Sequence, residues 1–167
     1  MRLYLDCEWT RHDKPELLSL GLVGDDVELY LEVDDPRLHA RASDFVHDLV
    51  LPQFGTFAGA RRADSLRAAG VILADFLQTL RHDSVICFDV PTDGELAMAA
   101  LRAAKRLEGL ARRVQWRLVA DEVASVSDDQ WDEAFDRRER ESGLFRHHAL
   151  LDSRVFKDVL TTGRVAH

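Results

Sequence analysis

Cysteine is nearly absent from this 167-residue chain, with Cys7 and Cys87 the only two. Both fall in apolar, strand-like runs, so they read as buried free thiols of a reducing compartment, not as a disulfide or a thiolate metal pair. Four prolines and nine glycines are too few for a long linker. No repeat or low-complexity stretch interrupts the chain, and residues 1–167 are expected to form a single domain. No apolar run approaches the ~20 residues that span a bilayer. The opening MRLYLDCEW has one Arg2 and no long apolar segment behind it, unlike a secretory leader. These absences predict a cytoplasmic protein with no membrane partner.

Acid is what the chain has in plenty. Thirty Asp and Glu against 22 Lys and Arg give a formal net charge of −8. A protein that coats long duplex DNA is usually basic, because its affinity comes largely from counterion release. The acidic balance argues against that role. It leaves open an enzyme that takes a short or single-stranded end into a metal site, where the ions supply the positive charge.

Period-two alternation marks strands at 2–9 (RLYLDCEW) and 27–33 (VELYLEV), and 17–23 (LLSLGLV) continues the sheet between them, an antiparallel meander with a turn at Asp25-Asp26. Helical spacing follows at 43–51, with Ser43 as cap and Pro52 as stop. A stronger helix at 63–80 carries an apolar stripe of Leu66, Ala69, Leu73, Phe76, Leu77 and Leu80. The run 84–90 (SVICFDV) reads as a central strand covered on both faces. Helix 93–107, strand 114–119 and helices 128–141 and 148–160 complete an expected α/β domain, a mixed sheet flanked by helices.

Three acidic patterns carry the expected chemistry. Asp6 and Glu8 stand at i and i+2 of the first strand and therefore project from one face. Without a counterion they repel, and a divalent cation removes that penalty. They also read as two solvent-facing acids near a strand end. Asp93 follows the central strand at the start of a helix, where α/β sheets place functional groups; a plain helix N-cap explains it as well, and Asp89 competes for the role. Near the C-terminus, His147-His148-Ala149-Leu150-Leu151-Asp152 puts Asp152 one turn into a helix with His147 just before it. A histidine there can take a proton from water at neutral pH. The alternative is a surface His-His pair ahead of an amphipathic helix.

In order, spacing and secondary-structure context, strand Asp-x-Glu, an Asp after a central strand, and His-x-Ala-x-x-Asp on the last helix resemble the signature of the DEDDh 3′–5′ exonucleases. The resemblance spans Asp6 to Asp152 and is closest to small stand-alone bacterial exoribonucleases of that family. It implies a ribonuclease H-like fold and 3′–5′ hydrolysis of single-stranded RNA or DNA, with RNA and short substrates favoured. It also implies two divalent ions, Mg²⁺ or Mn²⁺, on Asp6, Glu8, Asp93 and Asp152, with His147 as general base. Two departures are visible: Asp152 is followed by Ser153 where the family commonly has Ala, and the stretch before Asp93 lacks a polar residue often found there. The family suggests a homodimer, to which an exposed Trp131 and Phe135 would contribute.

Trp9 and Thr10 directly follow the acidic pair and are expected to meet the terminal nucleotide, while sheet packing is the competing use of Trp9. Basic clusters at Arg61-Arg62-Arg67, Arg102-Lys105-Arg106, Arg112-Arg113 and Arg137-Arg138-Arg140 read mostly as solvated faces, one of which could guide a strand. Two rival functions stay open, a non-catalytic binding module of the same fold and a phosphodiesterase for small nucleotides. The first predicts damaged carboxylates, yet every expected acidic position is filled.

Overall fold

A computed structural model of the chain describes residues 1–162; residues 163–167 of the expected domain lie outside the described ones. The N-terminal meander is present as β1 (Arg2–Trp9), β2 (Leu17–Val23) and β3 (Glu28–Val33). After the short α1 (Pro36–His39) come β4 (Arg61–Ala63), α2 (Leu66–Thr79), β5 (Ser84–Phe88) and α3 (Pro91–Ala103). The chain ends with α4 (Leu107–Leu110), β6 (Val114–Leu118), α5 (Ala120–Val123), α6 (Asp128–Ser142) and α7 (Ala149–Thr162). The strands form one six-stranded mixed sheet in the order β4-β3-β2-β1-β5-β6. Pairing is antiparallel within the meander and parallel for β1 with β5, β5 with β6, and β3 with β4. The α/β architecture expected from the sequence is therefore present. No helix among the described residues is long and apolar enough to cross a membrane.

Alternation along β1 sorts its side chains between two cores. Leu3, Leu5 and Cys7 pack with Ala69, Leu73 and Leu77 of α2 and Leu96, Ala97 and Leu101 of α3. Tyr4 turns to the other face, where it meets Leu150, Leu151, Val155 and Phe156 of α7, the last edge-on at 5.4 Å between ring centres. By the same period of two, Asp6 and Glu8 follow Tyr4 to the face that α7 covers. The sheet thus aims the acidic pair at the helix bearing Asp152.

Gly21 is what lets that helix come close. It pairs with Asp6 across β1 and β2. A Cβ at this position would overlap the Ala149 carbonyl and stand 2.7 Å from the Leu150 nitrogen, so only glycine admits the N-terminus of α7 against the sheet here.

Three local expectations need correction. The helix expected at 43–51 is a π turn over Val46–Val50 that runs on into a 3₁₀ turn over Leu51–Gln53. Phe45 holds the cap position of the π turn, and Ser43 lies ahead of it with its hydroxyl accepting from the Val46 N–H at 3.4 Å. Pro52 does not stop the coil but opens the tighter turn, where its missing N–H costs nothing. Helix α3 starts at Pro91, so Asp93 lies inside the first turn and Val90 holds the cap position. The capping explanation of Asp93 falls away. Trp131 and Phe135 are half-buried against the α7 core instead of exposed, with Trp131 stacked on Phe156. The short β4, α4 and α5 were not anticipated, because three or four residues cannot display a period.

Candidate functional site

Asp6 and Glu8 emerge from β1, Asp93 from the first turn of α3 and Asp152 from the first turn of α7. Their carboxylates share one electrostatic neighbourhood. Asp6 is pushed well above the ordinary carboxylate range, first by burial and then by repulsion from Asp152, Asp93, Glu8 and Asp89. Burial and Asp93 raise Glu8 to about 8. Asp93 likewise rises to about 8 through burial and the nearby Asp89, against a smaller lowering from a Cys7 hydrogen bond. Asp152 is raised by burial and Glu8, while the His147 N–H and Arg146 pull the other way. Both middle candidates, Asp89 and Asp93, therefore belong to the cluster, and Asp93 is the more deeply placed at 1% exposure.

His147 sits at the same spot. One ligand atom each from Glu8, His147 and Asp152 lies within 4.8 Å of the other two. The backbone of His147 is left-handed, with φ 66°, a conformation that costs a non-glycine residue roughly 1–3 kcal/mol. It holds because the His147 N–H donates to Asp152 Oδ2 at 3.1 Å and the ring packs edge-on to Phe45 at 4.9 Å. Burial, and then Arg146, lower the imidazole pKa, so at neutral pH the ring is uncharged and able to accept a proton. His148 faces elsewhere: it is buried, stacked on Tyr30 at 4.3 Å and lowered to about 4 chiefly by burial.

Asp6, Glu8, His147 and Asp152 open onto a cleft of about 490 Å³, with Trp9, Arg11, His12, Ser43, Phe45 and Val46 among its other walls. No protein-family model matches this chain, and no curated protein does either. The donor set itself must therefore say what the cleft can hold. Asp6 Oδ2, Asp93 Oδ1 and Asp152 Oδ1 are buried without a hydrogen-bond partner. Buried carboxylate oxygens normally find donors, and several unpaired together are costly unless a cation neutralises them. Hard oxygen donors with one imidazole beside them fit a divalent cation.

A second hollow, between the β2–β3 turn and α7, offers no comparable chemistry. Its Lys157 is bound to Asp25 and the Gly24 carbonyl, and its Arg154 to Glu28.

Of the two residues expected to meet a nucleotide, Trp9 lines the cleft and also packs on the sheet core. Thr10 does not reach the cleft. Its side chain is fully buried and its hydroxyl donates to the Lys14 carbonyl at 3.4 Å, while its own carbonyl accepts the Ser43 N–H. Its visible role is to tie the end of β1 to the segment bearing Phe45. The four basic clusters contribute nothing to the cleft walls; Arg11, paired with Asp13 at 3.1 Å, and His12, edge-on to Trp9, line it instead. Their place two and three residues past Trp9 was the available signal. Nothing in the sequence pointed to Phe45 or Val46, which arrive through tertiary contact.

Proposed function

We propose that the chain is a metal-dependent 3′–5′ exonuclease of the DEDDh type with a ribonuclease H-like fold, acting on the 3′ end of single-stranded nucleic acid, RNA in preference. The observation that carries this reading is the meeting of Glu8, His147 and Asp152 within 4.8 Å of one another, with buried unpartnered oxygens on Asp6, Asp93 and Asp152. A phosphodiesterase needs that combination and a structural acid cluster does not.

Asp6, Glu8, Asp93 and Asp152 would hold two Mg²⁺ or Mn²⁺ ions, their charges balancing and leaving room for a phosphate. Held there, the ions would supply the Lewis acidity that activates a water and stabilises a departing 3′ oxygen. His147 accepts the proton of that water, for which its neutral ring is ready. Asp152 orients His147 by taking its backbone N–H. Trp9 and Phe45 flank the cleft with aromatic surface suited to a terminal base, and Arg11 offers a guanidinium to a neighbouring phosphate. The products are nucleoside 5′-monophosphates.

The test is Mn²⁺-dependent mononucleotide release from 3′-labelled and 5′-labelled oligoribonucleotides by wild type and Asp6→Asn. Early release of the 3′ label, with Asp6→Asn slower by 10²-fold or more, is the expected result. Equal rates for the two proteins would remove the assignment. Release only from dinucleotides would point to a small-nucleotide phosphodiesterase.

A further inference from the structure

One polar side chain ties together the two cleft walls that face each other across His147. The amide nitrogen of Gln53 donates to the Leu49 carbonyl at 2.9 Å and to the Arg146 carbonyl at 3.0 Å. Its Oε1 accepts the Phe145 N–H at 3.3 Å. Two carbonyls on one side and an N–H on the other fix the amide orientation without ambiguity. Leu49 lies in the π turn that carries Val46, directly after Phe45, and Phe145 and Arg146 lead straight into His147. On its far side the same loop is held to α6: the Arg146 N–H donates to Glu139, its guanidinium reaches Asp132 at 2.8 Å, and it lies over the Phe135 ring. Arg146 therefore fastens the loop to the body of the protein, and Gln53 fastens it to the cleft.

We propose that Gln53 is a positioning residue: its side-chain amide braces the π turn against the loop before α7 and so holds His147 over Glu8 and Asp152. The inference rests on the nuclease reading above, because it assigns Gln53 to the base of that reaction. It follows from two features of the segment. A π turn has weak internal hydrogen bonding and does not define its own geometry, and His147 occupies a backbone conformation that its surroundings must enforce. Gln53 is half-buried and does not line the cleft, so it acts through His147 and touches no substrate.

Gln53→Met keeps the length and apolar bulk of the side chain while removing all three hydrogen bonds, and Gln53→Ala removes the bulk too. The measurements are steady-state Mn²⁺-dependent nucleotide release, melting temperature and amide hydrogen exchange on the full chain. Displacement of a reacting group by ~1 Å can cost up to about 10²-fold. Expected for both variants are a kcat at least tenfold lower, a KM within threefold of wild type, and faster exchange confined to residues 144–148 and 49–53. A kcat within twofold of wild type in both variants overturns the proposal. So does a kcat loss accompanied by a general rise in exchange across the sheet, which would mark Gln53 as a stability residue only. An inactive wild type would defeat the nuclease reading instead, and the brace would then stand or fall on whether exchange at 144–148 changes.

Discussion

Mn²⁺ added to the metal-free protein at pH 8 raises its melting temperature more than the same addition at pH 6.5. The reason is the proton inventory of the cleft. Glu8 and Asp93 are each pushed up to about 8, and Asp6 and Asp152 are also raised, in every case first by burial. A group whose pKa is higher in the folded chain than in the unfolded one adds stability that is complete below the unfolded value. That stability is lost as pH climbs through the folded value. Metal-free protein therefore loses up to ~1.4 kcal/mol per pH unit for each proton that only the folded state retains. The histidines act in the opposite sense, since His148 falls to about 4 and His147 is lowered. Their contribution fades above pH 6.5, as the unfolded imidazoles lose their protons. Toward pH 8 the raised carboxylates set the slope, and it is downward. A divalent ion displaces those protons and removes the repulsion, most where the acids have already ionised. Differential scanning calorimetry with and without Mn²⁺ at the two pH values measures the effect. An equal or smaller shift at pH 8 would mean that these carboxylates do not share an ion.

The second large effect falls on His147. Replacing it by Ala is expected to lower kcat by 10²–10⁴-fold, the usual contribution of a positioned general base. The melting temperature should fall only slightly, because the Phe45 ring contact is lost but the backbone N–H of residue 147 still donates to Asp152. His148→Ala separates the neighbours. His148 is buried on Tyr30 within the α7 core, so its loss should lower stability while leaving the activity of the folded fraction close to wild type. A His147→Ala protein with undiminished turnover would remove the base from the proposed mechanism and leave the carboxylates to act alone.

Much of the fold was legible because β1 and β3 alternate and β2 is an apolar run between them, and the strand bounds read from the sequence nearly coincide with those observed. Asp6 and Glu8 could be placed on one face by period two alone, and Asp152 on the first turn of the last helix by the apolar stripe behind it. Their meeting was not legible from geometry. It depends on Gly21, whose missing side chain lets α7 approach the sheet, and one glycine in a strand carries no such message by itself. Asp93 was ambiguous for a related reason: whether the helix starts at Pro91 or at Asp93 decides between a cap and a ligand, and sequence alone locates helix ends only to within a residue or two. The Gln53 brace comes from contacts made across more than ninety residues of chain, with no local pattern to announce it.

Crystals soaked in Mn²⁺ and a nucleoside monophosphate offer the most direct measurement. Acids drawn from both ends and the middle of the chain to bind an ion pair should give two anomalous peaks, about 3.5–4 Å apart, enclosed by Asp6, Glu8, Asp93 and Asp152. No peak there, or peaks only at surface acids, would contradict the shared site and with it the proposed hydrolysis.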